Sequence, residues 1–310
     1  YVCFRIAPFG PPRVRAVKKA RKLYLWDWSA VSESGPRFEN LVASQPARSG
    51  EAHYQIALIE QRRGDLDAAL SRVKTAVSLE PESAQVRYAL AHLYEVRHDT
   101  EAAIVEFEAI LARDPDNAPL LNHLGELYVF KGDAETAEAR FERAKALQPG
   151  NPAACLWLAV LAEQKGDHLK AAQRLAGSAA LAEDPELHLR LSYYYSQANR
   201  LKEAMAVLEA AHKKWPASKE IAYFLSLGYD DLKDYAKEAA LLKKALERAP
   251  DYRDARFQLG AVYEKMGRIE DAEREFRLLL ASRPTDATAL NYLGYSLTDR
   301  GLKLPEAEGF

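Results

Sequence analysis

Prolines recur along this chain at a fixed interval. Pro81, Pro115 and Pro149 are each 34 residues apart, and so are Pro216, Pro250 and Pro284. The 67 residues from Pro149 to Pro216 are two intervals less one residue. The residues between them repeat too. Leu90-Ala91, Tyr94, Ala103, Phe107 and Ile110 precede Pro115; Leu124-Gly125, Tyr128, Ala137, Phe141 and Ala144 precede Pro149; Leu259-Gly260, Tyr263, Ala272, Phe276 and Leu279 precede Pro284. A period of this length restricts the chain to an array of small units, because one unit cannot bury its apolar face alone and must stack on its neighbours.

Within a unit, Leu124 and Tyr128 form an i,i+4 apolar stripe, Gly132-Asp133 interrupts it, and Ala137, Phe141 and Ala144 form a second stripe. The pattern predicts helix, tight turn, helix. Gly64, Gly132, Gly166 and Gly267 are expected to end first helices in the left-handed conformation, with Asp65, Asp133 and Asp167 capping the next helix. Gly125, Ala137, Gly260 and Ala272 are placed where two helices approach closely, with Tyr128, Phe141, Tyr263 and Phe276 filling the space beside them. Runs such as Asp114-Pro115-Asp116-Asn117 close one unit and restart the next.

These slots resemble the tetratricopeptide (TPR) repeat over roughly residues 50–310. The resemblance implies an all-α fold, a right-handed solenoid of helix-turn-helix units. Residues 46–310 are expected to carry seven repeats and a truncated eighth. The fourth unit is one residue short, with Glu183-Asp184 before Pro185, and the sixth has Glu238 where its neighbours have alanine. Local loosening is expected at both. Both chain ends are read as truncated, since the sequence begins at Tyr1 and stops inside a second helix after Glu306-Ala307.

Residues 1–45 lack the repeat. Arg13, Arg15, Lys18, Lys19, Arg21 and Lys22 form a basic cluster, followed by Leu23-Tyr24-Leu25-Trp26-Asp27-Trp28 and Arg37-Phe38-Glu39-Asn40-Leu41-Val42-Ala43. One reading is a solvated basic segment beside a hydrophobic strand and a short helix. The other is a resemblance to the start of the nuclease-like domain that follows the core of bacterial AAA-type ATPases, which implies a metal-site role for Glu39. A lone Glu39 cannot hold a catalytic cation, which needs several oxygen ligands. The segment is therefore read as a remnant.

Other chemistry is excluded by what the chain lacks. There is no Gly-x-x-x-x-Gly-Lys-Ser/Thr loop, His-Glu-x-x-His or Gly-x-Ser-x-Gly. Cys3 and Cys155 are too few for a disulfide framework or thiolate metal site, and Cys155 occupies a slot that Leu121 and Leu290 fill elsewhere, as a small buried hydrophobe does. No catalytic residue, metal site or cofactor is expected. A net charge of -2 gives no support to nucleic-acid binding. No apolar run approaches the ~20 residues of a membrane span, and a cytoplasmic location is expected.

The TPR resemblance implies that first helices line a concave groove. Its aromatic members are Tyr54, Tyr88, Phe130, Tyr193, Tyr223, Phe257 and Tyr295. Tyr195 matches the packing tyrosines, which leaves Tyr193 facing a ligand. The acids include Glu95, Glu126, Glu163, Asp230, Asp231, Glu264 and Asp299, against only Arg62 and Lys265. Helix dipoles account for acids in first turns, such as Glu51, Glu186, Glu220 and Asp254, but not for Asp230, Asp231, Glu264 or Asp299 toward helix ends. Tyr54, Leu58, Tyr88 and His92 stand where a clamp for acidic chaperone C-termini would carry lysine and asparagine. The expected function is a non-catalytic scaffold whose groove takes a protein or peptide that is basic with apolar anchors. The alternatives are an arm of an ATPase or nuclease-like enzyme and an assembly factor near a bacterial envelope.

Overall fold

The computed structural model describes residues 49–299, with side chains through residue 294. The segment 1–45, with Glu39, and the side chains of Tyr295 and Asp299 lie outside the described residues.

The described residues form fifteen α-helices and no strand. They come as antiparallel pairs: α1 (Gly50–Arg63) with α2 (Leu66–Leu79), α3 (Ala84–Val96) with α4 (Thr100–Leu111), and α5 (Ala118–Lys131) with α6 (Ala134–Leu147). Next are α7 (Pro152–Gln164) with α8 (His168–Ala176), α9 (Pro185–Gln197) with α10 (Leu201–Lys214), and α11 (Lys219–Asp231) with α12 (Tyr235–Arg248). Helices α13 (Arg253–Lys265) and α14 (Ile269–Ser282) make the seventh pair, and α15 (Ala287–Asp299) follows. This is an all-α helical-repeat solenoid. The described residues through Leu161 form one compact unit and those from Ala162 a second.

Turn chemistry sets the helix boundaries. Gly64, Gly132, Gly166 and Gly267 all have φ between 71° and 86°, the left-handed region where a Cβ is strained. Asp65, Asp133 and Asp167 then accept from the backbone N–H three residues on, at 3.0, 3.0 and 2.9 Å. The same left-handed slot is held by His98, Asn199 and Lys233 at φ 57° to 61°. Those units reach the turn without glycine, at a backbone cost of about 1–2 kcal/mol for a side-chain-bearing residue.

The core lies between first and second helices. In the first unit Phe141 is fully buried, and a Cβ added at Gly125 would sit 2.6 Å from its ring. In the second, Phe276 meets Gly260 in the same way, again at 2.6 Å. Burying a side chain of this kind contributes roughly 1.5–3 kcal/mol. Cys155 is buried as expected, with its Sγ 3.7 Å from the Pro149 carbonyl.

The two irregular units behave differently from one another. In the fourth, α8 runs only 9 residues and a 3-10 turn, Ala179–Ala182, takes up the slack before Pro185. In the sixth, the expected loosening is absent: α12 is a full 14-residue helix and Glu238 is buried inside the pair.

Candidate functional site

The candidate surface is the exposed side of the first helices. Tyr88, at 38% exposure, leans edge-on against Phe107, with centroids 5.8 Å apart, and burial raises its hydroxyl pKa. His92 is exposed on the same helix, and Phe130, at the end of α5, is 63% exposed. Tyr54 does not belong with them. It is 7% exposed and packs with Val73, Val86 and Leu90, because α1 turns this tyrosine into the apolar seam with α2 and α3.

The late acids of these helices are engaged by the next first helix. Glu95 of α3 pairs with His123 Nε2 of α5 at 2.9 Å. The indole N–H of Trp157 on α7 donates to Glu126 of α5 at 3.1 Å, while its ring stacks on Phe141. In the second unit, the Tyr194 hydroxyl of α9 donates to Glu163 at 2.7 Å. Burial and this carboxylate hold the Tyr194 pKa far above its ordinary value. The sequence pattern places Tyr195 in the packing slot, yet Tyr194 is the fully buried tyrosine. Tyr193 is half-buried against His168 and Tyr194, which leaves it only partly presented.

Helices α11 and α13 carry a different arrangement. Tyr223 and Asp230 are seven residues apart on α11, as are Phe257 and Glu264 on α13, so each helix presents an aromatic and an acid on one side. Tyr223 packs against Tyr252, with centroids 5.4 Å apart, and burial, then Asp254, pushes its pKa up to about 12. Phe257 lies between Phe276 and Tyr292. It is capped by the Arg253 guanidinium, 5.2 Å from the ring centre, which Asp286 fixes through bonds of 2.9 and 3.1 Å. Asp230 accepts from Lys265 Nζ at 2.5 and 2.7 Å, the ammonium lying 5.8 Å from the Tyr235 ring. Asp231 is exposed, and its carboxyl is shifted upward by partial burial and by Asp230 beside it. Glu264 has no ion pair with a described residue. Here three carboxyl groups, Asp230, Asp231 and buried Glu238, interact with the ammonium of Lys265.

The donors were not anticipated from sequence. His123, Trp157, Tyr194 and Lys265 lie 28, 31, 31 and 35 residues beyond the acids they bind, in the next first helix, a relation visible in the sequence once bonding between successive first helices is considered. Among the described residues, no group of three or more His, Cys, Asp or Glu side chains is placed to hold a metal, and no helix is long and apolar enough to cross a membrane.

Sequence models described as Tetratricopeptide repeat match residues 61–122, 96–146 and 231–293, and a second set with that description matches 123–188 and 189–253. The chain belongs to the tetratricopeptide repeat family. A TPR repeat-containing protein of Pseudomonas aeruginosa, PA4667, is 28% identical over 122 residues, which are 38% of this chain and 20% of that protein. The chain thus spans about a fifth of the length of this curated relative. Among solved structures, the C-terminal part of a TPR repeat-containing protein from Cytophaga hutchinsonii superposes with a TM-score of 0.62 at 15% identity, covering 77% of this chain and 98% of that one. The structure of Naa15/Naa10 bound to HypK-THB gives 0.55 at 16% identity, over 80% of this chain and 39% of that one. YrrB, a TPR protein with an unusual peptide-binding site, gives 0.51 at 17% identity, over 60% of this chain and 96% of that one. These likenesses support the TPR fold.

Proposed function

We propose that this TPR protein is a non-catalytic scaffold that binds an extended or helical protein segment along its first helices, and that α11 and α13 take its basic, apolar-anchored part. TPR arrays are in general protein-interaction scaffolds, and YrrB is a TPR protein with an unusual peptide-binding site. The observation that supports the finer reading is the charge imbalance at α11 and α13. Asp231, Glu264 and the Asp230–Lys265 pair flank Tyr223 and Phe257, so carboxylates steer a cationic segment while the rings supply contact area. Tyr88, His92 and Phe130 in the first unit offer contact area with less net charge, since Glu95 and Glu126 already have partners.

The test is anisotropy of a labelled peptide of alternating lysine and leucine, against an acidic peptide of equal hydrophobicity, on the full chain. The basic peptide should bind more tightly, weakening at least tenfold between about 0.05 and about 0.5 M salt. Asp231→Asn with Glu264→Gln should remove that salt sensitivity, and Tyr223→Ala should weaken binding at all salt concentrations. Equal binding of the two peptides, or no effect of these changes, would overturn the reading. The alternative, an arm of an ATPase or nuclease-like enzyme, draws on the basic and aromatic run at 13–43, and the reading frame upstream of Tyr1 decides it.

A further inference from the structure

The slot that faces the first helix across each repeat is alanine in six of the seven described second helices: Ala69, Ala103, Ala137, Ala171, Ala204 and Ala272, none more than 4% exposed. In α12 it is Glu238, with no solvent exposure. A carboxylate there is costly unless every oxygen has a partner. Oε1 accepts from Gln258 Nε2 of α13 at 2.8 Å, while Oε2 is buried with no hydrogen-bond partner. The group within reach of Glu238 on the α11 side is Asp230, itself a carboxylate. Two carboxylates share a hydrogen bond only if one holds a proton. The other charged group facing the pocket is Lys265 of α13, already engaged by both oxygens of Asp230.

We propose that Glu238 is a proton-operated latch. Protonated, it donates to Asp230 and accepts from Gln258, tying α12 to α11 and α13; ionised, it repels Asp230, competes for Lys265 and loosens the packing of these three helices. The orphaned oxygen and the facing carboxylate carry the inference. Burial pushes the Glu238 pKa from 4.5 up to about 7, so the latch works near neutrality. Only its consequence for partner binding, a change in how Tyr223 and Phe257 are presented, rests on the function proposed above.

The sign follows from linkage. A carboxyl whose folded pKa is raised keeps its proton while the opened state loses its own. Protection of α11–α13 therefore falls as pH rises from about 4.5 to about 7 and is level above. Tyr229 and Tyr263 also lie against α12, under Lys237 and Lys243, but tyrosines keep their protons across this range; a group on α10 acts in the opposite sense. His212 of α10 lies near Lys244 and Arg248, and burial followed by those two cations lowers its pKa, so acidification loosens that contact.

Hydrogen exchange of the full chain, corrected for intrinsic rates, separates the two. In the wild type the opening equilibrium of α11–α13 should rise at least tenfold from about pH 5 to about pH 7.5 relative to Glu238→Gln, which keeps a donor toward Asp230 and cannot ionise. Glu238→Ala restores the residue of the other repeats and should likewise lack the rise, while retaining the His212 contribution. Carbon-13 labelling of the glutamate carboxyls should show one resonance, lost in both variants, with a midpoint near neutrality. Identical exchange profiles for wild type and Glu238→Gln, or a Glu238 midpoint in the ordinary carboxylate range, would overturn the latch. Neither measurement involves a partner, so failure of peptide binding leaves this result readable.

Discussion

Helices α3–α6 and α11–α14 are built from the same packing parts and end with different surfaces. In the first region Arg87 bonds the Pro81 carbonyl at 2.9 Å and Glu106 at 2.7 Å; in the second Arg256 bonds the Pro250 carbonyl at 2.6 Å and Glu275 at 2.9 Å. Phe141 and Phe276 fill the same space beside Gly125 and Gly260. Yet on the open side the first region gives each late acid a donor from the next first helix, whereas the second leaves an excess of carboxyl groups around Lys265. Packing between stacked helices is set by the period and tolerates little variation. The open side is under no such constraint, and there the two regions differ.

The largest expected effect tests whether the cores are equivalent. Phe141→Ala and Phe276→Ala each remove a ring that is at most 1% exposed, and each should cost about 3–5 kcal/mol. Local hydrogen exchange in the affected pair is the measurement, because opening in a repeat array need not be global. Costs differing by more than about 2 kcal/mol would break the claim that the two regions share one core design.

Next in size is the paired arginine. Arg87→Ala and Arg256→Ala each leave a partly buried glutamate and a proline carbonyl without their donor, at an expected cost of about 1–3 kcal/mol. Arg→Lys at either place should recover little, since one ammonium cannot reproduce a fork that reaches both acceptors. Full rescue by lysine, read from urea unfolding, would show that charge rather than geometry holds the pair.

The same division explains what was legible from sequence. The 34-residue proline interval, the four glycines and the capping aspartates predict the helix pairs because each acts within one unit. The turns at His98, Asn199 and Lys233 are not legible in the same way, because these residues take the left-handed conformation without the glycine that marks it elsewhere. The acid excess was legible, but its partners were not, since His123, Trp157 and Tyr194 belong to the following repeat. Tyr54 misled for a related reason: its position in the first helix matches Tyr88, but in α1 that position turns inward. At Glu238 the sequence predicts loosening because the alanine slot speaks only of volume, whereas the surroundings of its carboxyl are set by Gln258, Asp230 and Lys265, which come from two other helices.

The smallest effect is the finest test of the comparison. Tyr128 of α5 donates to Glu108 of α4 at 3.1 Å, and Tyr229 of α11 donates to Glu209 of α10 at 2.9 Å. The bonds are alike in length, but Glu108 also receives Arg140 at 2.9 Å, with both side chains less than a third exposed, whereas Glu209 lies exposed and Tyr229 has Lys237 over its ring at 5.1 Å. A bond inside a partly sheltered network is worth more than one to an exposed carboxylate that water can solvate. Tyr128→Phe should therefore cost about 1 kcal/mol and Tyr229→Phe no more than about 0.5 kcal/mol, measured by double-mutant cycles with Glu108→Gln and Glu209→Gln. Equal coupling energies would mean that shelter by the neighbouring arginine adds nothing, and that the two regions differ in surface charge alone.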